Sequence, residues 1–249
     1  MFKNLFKKKS PPAQPDYTEA LAEIIAAIQC PCEIIPNAQD PSATMAQYHQ
    51  LLAQGKTEGF TPVIVRASSM LIDCFEYIAE DFGDREAILA AASHLDGKAV
   101  LDGLVEDEPL SEDQMGQFIP SEPPTRHQFV YLHPRFDDDM LVMARIPTTN
   151  PWEIAAYIPM GDFNGSPDPV EHTAIFKYWY QKYGAIPAVV TGDVWELYVE
   201  RPPQTEAEVL ELALSQYYYC PDVVDQGVGY IHARASELLG AKSWYFWWD

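Results

Sequence analysis

The chain has 249 residues, 47% of them hydrophobic, enough for one large domain or two small ones. Its net charge is −21, from 16 basic and 37 acidic residues; four of the lysines stand in the first nine positions, so the rest of the chain carries −25. That field repels nucleic-acid phosphates and anionic lipid, no apolar run reaches the roughly 18 residues of a membrane span, and four cysteines are too few for a disulfide scaffold, so a cytoplasmic protein with reduced thiols and no signal peptide is expected.

Residues 1–15 read as a flexible basic tail. Met1 to Lys9 mixes three apolar residues with lysines, a weak amphipathic segment that argues for a solubilising tail over a membrane anchor. Residues 16–125 form an N-terminal α/β region. Asp16 and Glu19 suggest a capping box, and Leu21, Ile24, Ile25 and Ile28 recur at helical spacing until Pro31. Cys30-Pro31-Cys32 offers two thiols but no nearby pair to complete a four-ligand metal site. Residues 42–54 read as a helix stopped by Gly55, Thr61–Val65 as a buried strand, and Leu71, Cys74, Phe75 and Ile78 as the stripe of a further helix, followed by a short one over 85–93. Glu106-Asp107-Glu108-Pro109 and Ser121-Glu122-Pro123-Pro124 read as acidic, proline-punctuated connections.

Residues 126–249 form a C-terminal α+β domain. Gln128–His133 and Met140–Ile146 are β-type runs separated by Asp137-Asp138-Asp139, a solvated turn rather than a metal site. Alternation of Trp152, Ile154, Ala156 and Ile158 predicts a strand. In the turn-rich loop after Gly161, oxygen ligands at Asp162, Asn164, Ser166 and Asp168 mimic a calcium loop, but Pro167 and Thr173 replace its glycine and its bidentate glutamate. Asp168, Pro169 and Glu171 predict a capped helix to Tyr183 that Gly184 stops. Ile186–Val190 and Val194–Val199 flank a hairpin turn at Thr191-Gly192-Asp193. Thr205 and Glu208 cap a helix with Val209, Leu212, Ala213 and Tyr217 inward. A loop over 222–227 follows, with Asp225 as an N-cap, and then a helix from about 228 to 239.

The chain ends in Trp244-Tyr245-Phe246-Trp247-Trp248-Asp249, apolar on both faces, which reads as a strand buried on two sides beside 152–158 and 186–199. The fold class is therefore α+β: a C-terminal β-α-β-β-α-α-β unit with helices on a mixed or antiparallel sheet, and the N-terminal region packed against it.

Phosphate-cradling, dinucleotide, nucleophile-elbow and His-Glu-x-x-His motifs do not occur. Polar groups at loops and strand ends remain, including His172 and His232. The binding candidates among the residues are Asn164, Asp193, Glu196, Asp222, Asp225 and Gln226, with Trp179 from the tryptophan-rich second half. No metal or cofactor is expected.

Pro151-Trp152-Glu153, Gly161-x-x-Asn164-x-x-Pro167, Trp179-x-x-x-Tyr183-Gly184-Ala185, Gly192-Asp193-x-x-Glu196-Leu197, Tyr219-Cys220-Pro221-Asp222-x-Val224-Asp225-Gln226-Gly227 and the aromatic ending resemble the bacterial family called domain of unknown function 4253. The resemblance extends loosely to Gly59–Val65. This chain departs from the family's pattern at Phe163 and Ser166, where Trp and Cys are common. The resemblance implies kinship with uncharacterised, mostly cytoplasmic proteins, and it brings no activity to transfer. The expected function is a non-enzymatic interaction protein whose acidic surface meets a basic protein partner, an immunity-type inhibitor being one such role. An enzyme or small-molecule binder with a polar, aromatic pocket in the C-terminal domain is the alternative.

Overall fold

The computed structural model describes residues 19–35, 40–105, 109–120, 129, 132 and 141–249. The basic start, the Asp16 cap, the acidic run 106–108, Ser121–Pro124, most of Gln128–His133 and Asp137–Asp139 lie outside the described residues.

Helix α1 (Glu19–Ile28) leads to β1 (Cys32–Ile35), α2 (Pro41–Glu58), β2 (Thr61–Arg66), α3 (Ser69–Phe82), α4 (Arg85–Ser93), α5 (Gly97–Gly103) and α6 (Glu112–Met115). Then come β3 (Leu141–Ile146), a 3-10 turn over Pro151–Glu153, α7 (Ile154–Tyr157), α8 (Pro169–Tyr183), β4 (Ala185–Val190) and β5 (Val194–Val199). The chain closes with α9 (Glu206–Tyr219), a π-helical turn over Val223–Val228, α10 (Ile231–Leu238) and β6 (Ser243–Trp247). Among the described residues no helix is long and apolar enough to cross a membrane.

Among the described residues six strands form one mixed sheet in the order β1-β3-β2-β4-β5-β6. Strand β2 pairs antiparallel with β3 and parallel with β4, so strands from both halves of the chain share one hydrogen-bonded layer. Successive side chains alternate between faces. Val63, Val65, Val142, Ala144, Trp195 and Leu197 join the larger core with α1, α3, α8, α9 and α10, whereas Ile64, Met143 and Val189 meet Met45, Tyr48, Leu51 and Leu52 of α2 on the other face. The fold is α+β with helices on a mixed sheet.

Four local expectations change. The stretch read as a strand over 152–158 is helical from Pro151 to Tyr157, because Ile154 and Ile158 are also one helical turn apart and Pro151 stands at the first position of the turn. Strand β3 takes the first place in the β-α-β-β-α-α-β order. Helix α2 runs through Gly55 to the left-handed Gly59, and Gly55 is required there because a Cβ would come within 2.1 Å of the Phe60 carbonyl oxygen. The stretch 222–227 is a π-helical turn, and α10 starts at Ile231 behind Tyr230 rather than behind Asp225. Among the described residues strand β6 pairs only with β5 and so stands at an edge of the sheet; Trp244, Phe246 and Trp248 are buried, while Tyr245 and Trp247 are half-buried. Strand β1 and helix α5 escaped the sequence reading because the first has only four residues and the second begins and ends in glycine.

Candidate functional site

Because β2 and β4 run parallel, with β6 alongside β5, the strand ends at Arg66, Val190 and Trp247 fall on one side of the molecule. The starts of α3 and α8 open from that side as well. Polar groups gather there on loops held by the rigid sheet.

The β4–β5 turn is locked by its own side chains. Thr191 Oγ1 donates to Asp193 Oδ1 at 2.6 Å, and the Asp193 amide donates back to Thr191 Oγ1 at 3.2 Å. The Asp193 carbonyl accepts the Trp248 amide at 3.1 Å, which seats the end of β6. Beside it the Asp249 amide donates to Asp222 Oδ2 at 3.3 Å, Gln226 Nε2 donates to Asp222 Oδ1 at 2.8 Å, and the Cys220 thiol donates to the Trp247 carbonyl at 3.0 Å. Asp225 is exposed next to this group and takes a hydrogen bond from Tyr217.

The loop 161–168 completes the corner. Asp162 and Asn164 hold φ of 63° and 47°, left-handed conformations that Asp and Asn tolerate best among residues with a side chain. Gly161 has φ 137°, and a Cβ there would lie 2.2 Å from the Pro167 carbonyl oxygen and 2.8 Å from His172 Nε2. The Tyr77 hydroxyl donates to the Gly161 carbonyl, and the Cys74 thiol reaches the Gly192 carbonyl at 4.0 Å, tying α3 to both loops.

Beneath the corner lies a buried polar chain. His172, with no exposed surface, has Ser166 Oγ 3.2 Å from Nε2 and the Tyr219 hydroxyl 2.8 Å from Nδ1. Ser166 Oγ also donates to the Pro167 carbonyl at 3.3 Å. The chain closes when Nε2–H donates to Ser166 and the Tyr219 hydroxyl donates to Nδ1 of a neutral ring. Burial lowers the His172 pKa to about 3, which fits that neutral state. The rings of Phe176, Trp195, Tyr219 and Trp248 surround the imidazole with centroids 5.5 to 6.2 Å away. The Ser–His distance matches a nucleophile and its base, but Ser166 is buried and gives its proton to a backbone carbonyl. The network pins the loop to α8 and to the last turn of α9. His172 is visible in the sequence as a polar group; nothing there pairs it with Tyr219, 47 residues on.

Five of the seven candidates thus lie on this side: Asn164, Asp193, Asp222, Asp225 and Gln226. Glu196 is not with them. It is buried on β5, across from Val189 and Tyr245 on the opposite face from Trp195. Trp179 is interior too, stacked on Phe246 at 5.5 Å and edge-on to Tyr219 at 4.9 Å.

The surface of the corner is acidic. Burial first, then Asp168 and Asp81, raises the pKa of Asp162; burial, then Asp168, raises that of Glu171; burial, then Asp222, raises that of Asp225. None of these carboxylates forms an ion pair with a described residue. Among the described residues no group of three or more His, Cys, Asp or Glu side chains could hold a metal ion.

No curated protein and no solved structure matches the chain. A family model does, over residues 142–249, the stretch that runs from β3 through the corner to the last residue. Over that stretch the chain is similar to the family described as a domain of unknown function (DUF4253).

Proposed function

We propose that this chain is a non-enzymatic interaction protein of the cytoplasm that docks a basic protein partner on the acidic corner. The observation that carries this reading is two groups of unneutralised carboxylates on this side, Asp81, Asp162 and Glu171 about the 161–168 loop and Asp225 beside Asp222, with raised pKa values at Asp162, Glu171 and Asp225. Holding like charges together disfavours the folded chain, and a cationic partner would relieve that repulsion. Met70 supports the same reading. It is 39% exposed at the start of α3, against Gly192, and gives the charged surface an apolar contact point.

The full chain, immobilised, should retain Lys- and Arg-rich proteins from a cell lysate at low salt and release them by roughly 0.5 M salt, where the Debye length has shrunk to a few ångströms. A variant carrying Asp81→Asn, Asp162→Asn, Asp225→Asn and Met70→Ala should lose those proteins while keeping its fold. Equal retention by both chains, or retention indifferent to salt, would count against the proposal.

A further inference from the structure

The reversal between α1 and β1 runs through Gln29-Cys30-Pro31-Cys32. Gln29 adopts φ 54°, and the Pro31 carbonyl accepts the Arg145 amide of the adjacent strand at 2.9 Å, so both sides of the reversal are held. The Cys30 and Cys32 side chains are close enough for each thiol to shift the ionisation of the other. Both are half-buried and free, whereas Cys74 and Cys220 are buried. A cleft of about 430 Å³ opens beside the reversal, lined by Gln29, Phe75, Arg85 and Tyr157 among others. The Arg85 guanidinium sits 4.2 Å over the Tyr157 ring, where its charge acts on Cys30. Two adjacent half-buried thiols, with the Arg85 charge acting on Cys30 and an open cleft alongside, are what thiol chemistry requires.

We propose that Cys30 and Cys32 form a redox-active dithiol that exchanges with small-molecule disulfides of the glutathione type. The neighbouring Cys30 thiol lowers the pKa of Cys32 while Cys32 raises that of Cys30, which makes Cys32 the attacking group and Cys30 the resolving one. In the first step the Cys32 thiolate attacks one sulfur of the disulfide. That S–S bond breaks, and one glutathione leaves as thiolate and takes up a proton. Cys30 then gives up its proton and attacks Cys32 Sγ, expelling the second glutathione. The protein loses two hydrogens and one glutathione disulfide becomes two thiols. A single residue, Pro31, lies between the two sulfurs in sequence, so the ring is small and the bond readily reduced again.

The test uses the full-length native protein in glutathione redox buffers, with free thiols alkylated and each cysteine mapped by mass spectrometry. Oxidation should form a Cys30–Cys32 bond and leave Cys74 and Cys220 reduced. In the native pair a limiting amount of alkylating agent near neutral pH should label Cys32 several-fold faster than Cys30, following the direction of their thiolate fractions. A pair that stays reduced in an oxidising buffer, or that oxidises no faster than Cys74 and Cys220, would overturn the site. Equal labelling of Cys30 and Cys32 in the native pair would overturn the assigned roles.

Discussion

His172 joins four structural elements through one ring: its own helix α8, the 161–168 loop through Ser166, α9 through Tyr219, and the end of β6 through the Trp248 ring. A buried neutral imidazole couples folding to pH. Its folded pKa lies below the unfolded one, so its contribution is fully present above about pH 6.5 and is lost as pH falls toward about 3, at roughly 1.4 kcal/mol per unit across that window. Asp162, Glu171 and Asp225 act in the opposite sense. Their folded pKa values are raised, so they favour the folded chain below the usual carboxylate range and disfavour it as pH rises through those values. Urea denaturation of the wild type and of His172→Gln from pH 7 to pH 4 separates the two contributions. The wild type should lose stability relative to the variant as pH falls, and parallel curves would remove the buried histidine from the account. The sequence shows the histidine and not its partners, because hydroxyls from two distant segments meet it only in the folded core.

Helix α8 and strand β6 draw their stability from different sources. The capping box of α8 is local: Asp168 Oδ1 accepts the Glu171 amide at 2.8 Å, and Pro169 presets the first turn. Strand β6 depends on long-range packing. Trp244, Phe246 and Trp248 lie in a cluster with Trp179, Tyr183, Tyr219 and Trp195. Asp168→Ala should therefore cost about 1 kcal/mol, and Trp248→Ala about 3–5 kcal/mol, both read from denaturant midpoints. A Trp248→Ala loss no larger than that of Asp168→Ala would mean that the terminal strand is not part of the core. The same distinction explains which elements were legible. The hairpin at 191–193 and the caps at Asp168 and Thr205 were readable because turn and cap chemistry is written within a few residues. The stretch 152–158 was not, since alternation and a one-turn repeat share the positions Ile154 and Ile158.

At the scale of the whole molecule, charge is the dominant unbalanced term. With a net charge of −21, the folded chain concentrates a repulsion that the expanded chain dilutes. Stability should rise as sodium chloride increases from roughly 0.01 to 0.5 M, because the Debye length falls from about 30 Å to a few ångströms. Thermal melts across that range measure it, and an unchanged midpoint would show that the carboxylates are spaced widely enough not to interact. The candidate corner was partly legible at this scale. Five polar residues from three loops lie on one side because the parallel pairing of β2 with β4 points their ends the same way. Glu196 and Trp179 look equally suited in sequence, yet strand alternation and the aromatic cluster put both inside.

The sequence by itself determined the local features: the helix caps, the β4–β5 hairpin, the aromatic terminal strand, the acidic field and the family similarity of residues 142–249. Each depends on residues close together in the chain, or on composition. Only the tertiary structure decided that β2 enters between β3 and β4, that the aromatic strand forms an edge of the sheet, that His172 is satisfied by Ser166 and Tyr219, and that the Arg85 charge acts on Cys30. These are contacts between distant segments, selected by the packing of two cores on either face of one sheet.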